Sequence, residues 1–198
     1  MDAETARLVI SLREQLDRLT ALVRTLLEMS NLQSVSRTDH IALAPLVEEI
    51  LTDLTPLAQK NNISLQQDCE EMGMVGSDAL IYRLVFNLVE NGIKYNRPGG
   101  AVHVTLRQEK QAAVLHVADT GPGIPADCRE SIFQPFFRVD KSRSREYGGA
   151  GLGLSLVWEI ADLHGGSVWV EKSSDKGTTI VVELPAGTES NPSGADIT

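Results

Sequence analysis

The sequence predicts an α+β fold, a two-layer α/β sandwich whose mixed, antiparallel-rich sheet is covered on one face by helices and preceded by one long helix. Three observations support this prediction. Apolar residues recur at helical spacing after residue 41, alternating segments come in two hairpin-like pairs, and an N-terminal heptad pattern stands apart from both. A length of 198 residues fits one good-sized domain, or one domain with an appendage.

The composition is that of an ordinary soluble globular protein, with 42% hydrophobic and 23% charged residues. The net charge of -9 argues against nucleic acid as a partner, because nucleic-acid-binding proteins usually carry a basic surplus. Cys69 and Cys128 lie far apart and lack the spacing of a zinc site, which favours a reducing cytosol. No apolar run approaches the length of a membrane span and no signal peptide opens the chain, so we expect a soluble chain.

Residues from about 4 to 34 show the pattern of one long helix. Its apolar seam steps alternately by four and three residues, which is a heptad spacing. The seam consists of Leu12, Leu16, Leu19, Val23, Leu26 and Ser30. Leu22 and Leu27 widen the stripe, as expected of a helix in a bundle, although a helix packed on its own domain remains the alternative. The polar stretch "QSVSRTDH" that follows predicts a linker.

The stretch from about residue 41 to 185 predicts a compact domain. "PLVEEILTDLTPLAQKNN" is helical, with Pro45 suited to a first turn, and "ISLQQD" alternates like a strand. Ser77 is predicted to cap a second helix, "DALIYRLVFNLVENGIKYN". "AVHVTLRQ" with "AAVLHVAD", and later "SVWVEKS" with "TTIVVELP", predict two hairpins.

These patterns predict three divisions of the chain. Residues 1–38 form the long helix and its linker, and residues 39–186 form the compact domain. Residues 187–198 have too little apolar surface to fold, which predicts a disordered tail.

Glycines at positions 148, 149, 151 and 153 lie just before and at the start of a helical apolar face that runs from Leu152 to His164. Glycine disfavours a helix by about 1 kcal/mol relative to alanine, so such a start needs a compensating interaction. A phosphate group is one candidate, because bare backbone approaches it closely and a helix N-terminus presents N–H groups to it. A flexible loop before an ordinary core helix explains this stretch equally well.

Asn87, Asn91 and Lys94 share one face of the predicted second helix. An asparagine oxygen is a hard ligand suited to Mg²⁺, and a lysine ammonium suits phosphate. A solvated helix face is the alternative.

The stretch "ADTGPGIP" places Asp119 at the end of a strand, where its carboxylate can accept a hydrogen bond from an exocyclic amine such as that of adenine. An ordinary Asp–Gly turn is the alternative. Further on, four cations lie just before the glycine-rich stretch and predict a lid over an anion, with a solvated charge run as the alternative. These cations are Arg138, Lys141, Arg143 and Arg145.

Four stretches together carry a family resemblance. "NLVENGIKYN", "DTGPGIP", "FQPFFRVD" and "GGAGLGLSLV" occur in the order and spacing of the N, first glycine, F and second glycine boxes of sensor histidine kinases. The resemblance covers residues from about 10 to 185 and extends to the wider superfamily of gyrase-type, chaperone and mismatch-repair ATPases.

The resemblance implies an ATP-binding domain that takes Mg²⁺ as its metal and binds nucleotide under a mobile lid. On the phosphate side, Asn91 would bind the metal with Asn87 nearby, and Lys94 and Tyr95 would line the phosphates, with Asn87 and Lys94 supporting catalysis. Asp119 would recognise the adenine amine. The remaining residues implied at the site are Gly121, Gly123, Ile124, Arg138, Lys141, Gly149, Ala150, Gly151, Leu152, Gly153, Leu154 and Thr178.

One departure from the family concerns the phosphoacceptor histidine. A box like "SHELRTPL" is absent from the 198 residues, and we expect the four histidines, His40, His103, His116 and His164, to be structural or surface residues. The long helix resembles the second helix of the family's dimerisation hairpin, so the chain is expected to be a fragment of a larger, membrane-bound sensor. A smaller departure is Gly92, where the family usually has alanine.

The resemblance also implies partners: the phosphoacceptor helix, a response regulator receiver domain, and a second copy in a full-length homodimer at the cytoplasmic face of the membrane. We expect the fragment itself to be a monomer or a weak dimer.

Other functions remain open. An ATP-hydrolysing conformational clamp would need a general base, yet Asn87 stands where such relatives carry glutamate, and Glu90 lies one step off that helical face. A catalytically inactive ATP-binding module and an anti-sigma serine kinase share the expected fold. The heptad helix favours the sensor kinase class.

Overall fold

The computed structural model describes residues 30–139 and 151–187, together with positions 9, 12, 13, 16, 19, 20, 23 and 27. Every described position from 9 to 31 is helical and forms what we call the N-terminal helix, which a short 3-10 turn at Leu32–Ser34 follows. Two residues of the predicted apolar stripe, Leu22 and Leu26, lie outside the described residues. No helix in the described part of the chain is long and apolar enough to span a membrane.

Seven strands follow the N-terminal helix in the described residues. They are β1 (Asp39–Ala42), β2 (Ser64–Cys69), β3 (Gly73–Gly76), β4 (Ala101–Glu109), β5 (Ala112–Asp119), β6 (Ser167–Ser174) and β7 (Gly177–Pro185). Five of them form the main sheet in the order β2-β4-β5-β7-β6. The pairing is antiparallel except between β2 and β4, and both predicted hairpins, β4–β5 and β6–β7, are present.

Within residues 30–139 and 151–187, three helices lie on one face of this sheet: α1 (Leu43–Asn61), α2 (Asp78–Lys94) and α3 (Gly153–Leu163). Alternate strand residues such as Val104 and Val182 point towards them and are fully buried. Ile81 of α2 and Ile160 of α3 meet these strand residues in one hydrophobic core. The predicted two-layer sandwich with an antiparallel-rich sheet is therefore confirmed.

A second, two-stranded sheet was not predicted. In it, β1 pairs antiparallel with β3, and Asp39 lies opposite Gly76. The stretch predicted as a linker, residues 33–40, therefore ends inside a strand. Leu32, just before it, is only 2% exposed and belongs to the hydrophobic core.

The start of α2 corrects the prediction that the Ser77 side chain caps this helix. Ser77 occupies the N-cap position, but its side chain makes no capping hydrogen bond. A capping side chain at this position would accept from the Leu80 N–H. Here the Leu80 N–H already donates to the Ser77 carbonyl oxygen, at 3.1 Å. Two remote side chains serve the helix end instead: the Asp39 carboxylate accepts from the Asp78 N–H at 3.2 Å, and His164 Nε2 accepts from the Ser77 N–H at 3.1 Å.

The C-terminal end of the described chain stays attached to the domain. Gly187, predicted as the first residue of the tail, donates its N–H to the Gly73 carbonyl oxygen at 3.1 Å. The rest of the predicted tail, residues 188–198, lies outside the described residues.

Candidate functional site

Asp119 stands at the end of β5 with one carboxylate oxygen fully engaged. Its Oδ1 accepts from the Gly121 N–H at 2.7 Å and from the Thr178 N–H at 3.3 Å. Burial raises the pKa of Asp119, and these two backbone hydrogen bonds oppose the rise. Within the described part of the chain, no residue donates a hydrogen bond to Oδ2. That oxygen is therefore the one placed to accept from a ligand.

The predicted glycine turn after Asp119 is packed too closely for side chains. A Cβ atom at Gly121 would lie 2.8 Å from the Tyr95 carbonyl oxygen, at the end of α2. Gly123 has φ +80, and a Cβ atom there would overlap the Ser174 carbonyl group. Both positions therefore need glycine, and the turn lies against both α2 and the β6–β7 hairpin.

Ser173 and Gly177 belong to this end of the site, although the sequence did not single them out. Ser173 Oγ accepts from the Ile124 N–H at 2.7 Å and lies 2.8 Å from Thr178 Oγ1. Gly177 has φ +135, and a Cβ atom there would overlap the Asp119 carbonyl oxygen. The "KGTT" stretch that pointed to Thr178 contains Gly177, so its glycine could have been recognised as a site residue from the sequence. No sequence pattern distinguishes Ser173 from other serines.

One to two turns before Tyr95 on α2, the structure brings the two predicted phosphate-side motifs together. A Cβ atom at Gly153 would lie 3.1 Å from Asn87 Oδ1 and 3.6 Å from Asn91 Nδ2. Asn87 Nδ2 donates to the Arg83 carbonyl oxygen at 2.7 Å, which leaves Oδ1 facing the start of α3. The absence of a side chain at Gly153 thus lets the start of α3 lie close to both asparagines.

Lys94 and Tyr95 follow on α2. Lys94 Nζ forms an ion pair with Glu90 Oε1 at 2.8 Å, and Tyr95 is 49% exposed at the C-cap. Glu90, which the sequence placed one step off the asparagine face, is therefore engaged by a lysine on its own helix. Gly92 lies between the two ends of the site, where a Cβ atom would be 3.1 Å from Val102 Cγ2 and 3.7 Å from Asp119 Cβ.

The described residues of the predicted F box and second glycine box are joined by a backbone hydrogen bond. Gly151 has φ +74, and its carbonyl oxygen accepts from the Phe136 N–H at 2.9 Å. Leu152 is 2% exposed and Leu154 packs against the core, so these two side chains support α3. Arg138 is partly exposed. The other predicted lid and loop residues, Lys141, Arg143, Arg145, Gly149 and Ala150, lie outside the described residues.

The four histidines have separate surroundings. His40 is exposed on β1, His103 Nδ1 lies 3.4 Å from Gln66 Oε1, and His116 Nε2 lies 3.8 Å from Glu171 Oε1. His164 caps α3 and binds the backbone of Ser77.

Comparisons with known proteins identify the family of this chain. The family model described as histidine kinase-, DNA gyrase B- and HSP90-like ATPase matches residues 76–188, more than half of the chain. The sensor histidine kinase RppB of Synechocystis sp. is 38% identical over 173 residues, which cover 85% of this chain and 38% of RppB. The chain thus spans about two fifths of the length of this curated relative.

Two solved structures share the fold over most of the chain. Full-length ShkA, solved in complex with AMPPNP, has a TM-score of 0.76 and 25% identity, covering 94% of this chain and 40% of ShkA. Histidine kinase ThkA, solved in complex with the response regulator TrrA, has a TM-score of 0.74 and 27% identity, covering 94% of this chain and 53% of ThkA. The resemblance predicted from the four sequence motifs is confirmed: the chain belongs to the histidine kinase-, DNA gyrase B- and HSP90-like ATPase family, in which it is similar to the ATP-binding domains of sensor histidine kinases.

Proposed function

We propose that this domain holds ATP with Mg²⁺ between α2, α3 and the Asp119 turn. In this position it would present the γ-phosphate for transfer to a histidine outside the four of this chain. The observation that carries the proposal is that the C-terminal half of α2 contacts two chemically distinct segments. Asn87 and Asn91 lie against Gly153 at the start of α3, and one turn later Tyr95 lies against Gly121 beside Asp119.

At the adenine end, Asp119 Oδ2 accepts from the exocyclic amine of the base. Its partner oxygen is held by the Gly121 and Thr178 N–H groups, which fixes the direction of the carboxylate. Thr178 is 4% exposed and bonded to Ser173, so the wall behind the base is rigid. Gly121, Gly123 and Ile124 form the turn against which the flat base packs.

At the phosphate end, the amide oxygens of Asn87 and Asn91 suit a hard cation such as Mg²⁺. Because Gly153 has no side chain, phosphate oxygens could approach its backbone beside the two asparagines. The described residues contain no group of three or more His, Cys, Asp or Glu side chains able to hold a metal. This donor set fits Mg²⁺ because the ion usually takes most of its remaining ligands from phosphates and water. The bound ion would neutralise phosphate charge, and Lys94 adds a further cation on the same helix.

Two observations favour phosphoryl transfer over hydrolysis. An asparagine amide cannot accept a proton at neutral pH, so Asn87 does not activate water. Glu90, the nearest carboxylate on α2, is paired with Lys94 at 2.8 Å. Catalysis would then rest on positioning and charge neutralisation, with the nucleophile supplied from outside the domain.

For the whole protein we propose a sensor histidine kinase that transfers its phosphoryl group onward to a response regulator receiver domain. Its relative RppB is a sensor histidine kinase, and ThkA was solved with a response regulator. The N-terminal helix would be the second helix of a dimerisation hairpin in a homodimer at the cytoplasmic face of the membrane. Its described apolar residues are widely exposed, as a bundle helix without its neighbours would be.

Incubation with radiolabelled ATP and Mg²⁺ tests the proposal, with and without a second polypeptide that carries the phosphoacceptor hairpin of RppB. We expect acid-labile label on the added polypeptide, none on the chain alone, and slow phosphate release. Asn91→Ala should abolish the transfer. Asn61→Ala is the matched control, because that amide makes one local hydrogen bond on α1, to the Leu57 carbonyl oxygen.

Three results would contradict the proposal. Calorimetry that detects no ATP binding removes the nucleotide site itself. Acid-labile label on the isolated chain makes one of its own four histidines the acceptor. Rapid, steady phosphate release favours the conformational clamp.

A further inference from the structure

Asn96, two residues beyond the end of α2, has an amide group that is saturated with hydrogen bonds. Its Nδ2 donates to the Gly92 carbonyl oxygen at 3.0 Å and to the Ala101 carbonyl oxygen at 2.9 Å. Its Oδ1 accepts from the Arg97 N–H at 2.9 Å and from Thr120 Oγ1 at 3.1 Å. Two donors and two acceptor positions are all that an asparagine side chain offers.

Three of these hydrogen bonds link Asn96 to three separate segments. Gly92 belongs to α2, Ala101 opens β4, and Thr120 stands between Asp119 and Gly121 in the turn that recognises the base. Thr120 completes the network, because its Oγ1 accepts from the Ala101 N–H at 2.9 Å and its own N–H donates to the Ala101 carbonyl oxygen at 3.2 Å. The space around the network is filled, since a Cβ atom at Gly100 would lie 2.5 Å from Thr120 Oγ1.

We propose that Asn96 is a positioning residue that fixes the separation between the phosphate-side residues of α2 and the Asp119 turn. This inference rests on the proposed nucleotide site. α2 carries Asn91 and Lys94, whereas the turn carries Asp119, and the two parts already touch at Tyr95 and Gly121. They also approach each other at Gly92, where a Cβ atom would lie 3.7 Å from Asp119 Cβ, and these packing contacts are not directional. The Asn96–Thr120 hydrogen bond adds a directional link between the two parts.

The consequence depends on how much of the site a ligand spans. ATP engages the turn and the helix at once, so its affinity depends on their separation. Adenosine engages only the turn, whose own hydrogen bonds to Asp119 do not involve Asn96. Loss of the network should therefore weaken ATP far more than adenosine, whereas general destabilisation of the domain would weaken both.

The test compares dissociation constants for ATP with Mg²⁺ and for adenosine, measured by calorimetry and by NMR titration. We expect Asn96→Ala and Thr120→Val to weaken ATP binding on the order of 10-fold, the effect of one lost hydrogen-bonded contact, and to leave adenosine binding roughly unchanged. Thr120→Ser keeps the hydroxyl group and should keep the wild-type ratio of the two constants. Asn61→Ala, which removes an asparagine amide from α1, should keep it as well.

The inference is overturned if both Asn96→Ala and Thr120→Val keep the wild-type ratio of the ATP and adenosine dissociation constants. This holds whether the two affinities stay the same or fall together. If Asn96→Ala does not fold, Thr120→Val decides alone, because Thr120 is exposed and valine keeps its shape. Wild-type protein that binds neither ligand would instead overturn the proposed function.

Discussion

In the proposed nucleotide site, Asp119 would recognise the base, and its chemistry gives the first prediction. Asp119→Asn would place an amide where the carboxylate would accept from the adenine amine, and a lost charge-assisted hydrogen bond costs about 1.5–3 kcal/mol, or about 10- to 150-fold in affinity. Calorimetric titration with ATP measures the loss. GTP should bind poorly to the wild type, because guanine presents a carbonyl oxygen at that edge. Equal affinity of wild type and variant would remove Asp119 from the site.

Gly153 gives a prediction that separates binding from stability. In Gly153→Ala, a methyl group would lie 3.1 Å from Asn87 Oδ1, which is close enough to displace that amide. Alanine is a better helix former by about 1 kcal/mol, and the asparagine side chain can turn aside, so the melting temperature should not fall. ATP binding should weaken by about 1 kcal/mol, because an Asn87 amide that turns aside would lose one interaction on the phosphate side. A variant that melts earlier yet binds ATP as tightly as the wild type would contradict this account.

His164 gives a pH-dependent prediction. Burial lowers its pKa below the ordinary 6.5, the hydrogen bond to the Ile160 carbonyl oxygen raises it, and the charge of Arg37 lowers it. Below about pH 6.5 the unfolded chain therefore binds a proton that the native chain resists. The free energy of unfolding should fall as the pH drops through that value, and level off below the native pKa. Protonation would also cost the hydrogen bond from the Ser77 N–H, because Nε2 would become a donor.

Urea unfolding at about pH 7.5 and about pH 5.5 measures this dependence. His164→Gln keeps an acceptor for the Ser77 N–H but does not titrate, so its stability should fall less with pH than that of the wild type. His40→Gln is the control, since that side chain is exposed. The explanation fails if His164→Gln and the wild type lose equal stability.

Single residues differed in how far the sequence revealed them. Asp119 and its glycines were predictable because a carboxylate at a strand end and glycines in a tight turn are local patterns. Ser173 and Asn96 were not, because their roles come from contacts across the chain. The hydrogen bond from Ile124 to Ser173, for example, spans 49 positions.

At the scale of elements, the N-terminus of α2 gives a prediction that separates local from remote capping. Asp39→Ala removes the acceptor of the Asp78 N–H and should destabilise the domain by about 1 kcal/mol in urea unfolding. Ser77→Ala should cost less, because the serine side chain makes no capping hydrogen bond. A larger loss for Ser77→Ala than for Asp39→Ala would restore the local cap that the sequence predicted.

The elements that the sequence missed are the shortest ones. β1 and β3 have four residues each, too few for an alternating pattern to emerge, and β1 begins in a polar stretch. Their pairing nonetheless brings Asp39 to the start of α2. The helix that carries the phosphate-side asparagines is thus tied directly to the segment that follows the N-terminal helix.

For the whole molecule, the sequence predicted the layers but not the order of the strands. Hairpins are local, so β4–β5 and β6–β7 could be read from alternation and short turns. The parallel pairing of β2 with β4 needs a crossover, which here contains β3 and α2. The pairing of β2 with β4 depends on how α2 packs on the sheet. A short sequence pattern therefore cannot predict this pairing.

The exposed apolar seam of the N-terminal helix gives the last prediction. Leu12, Leu16 and Leu19 are 66%, 67% and 60% exposed, and an uncovered stripe of this kind promotes association. Burying one leucine contributes about 1.5–3 kcal/mol, so Leu16→Glu combined with Leu19→Glu should abolish the weak self-association that we expect in sedimentation equilibrium. Val75→Glu is the control, because Val75 is 49% exposed on β3, away from the seam. Association that survives the double substitution but disappears in Val75→Glu would move the contact from the helix to the small sheet.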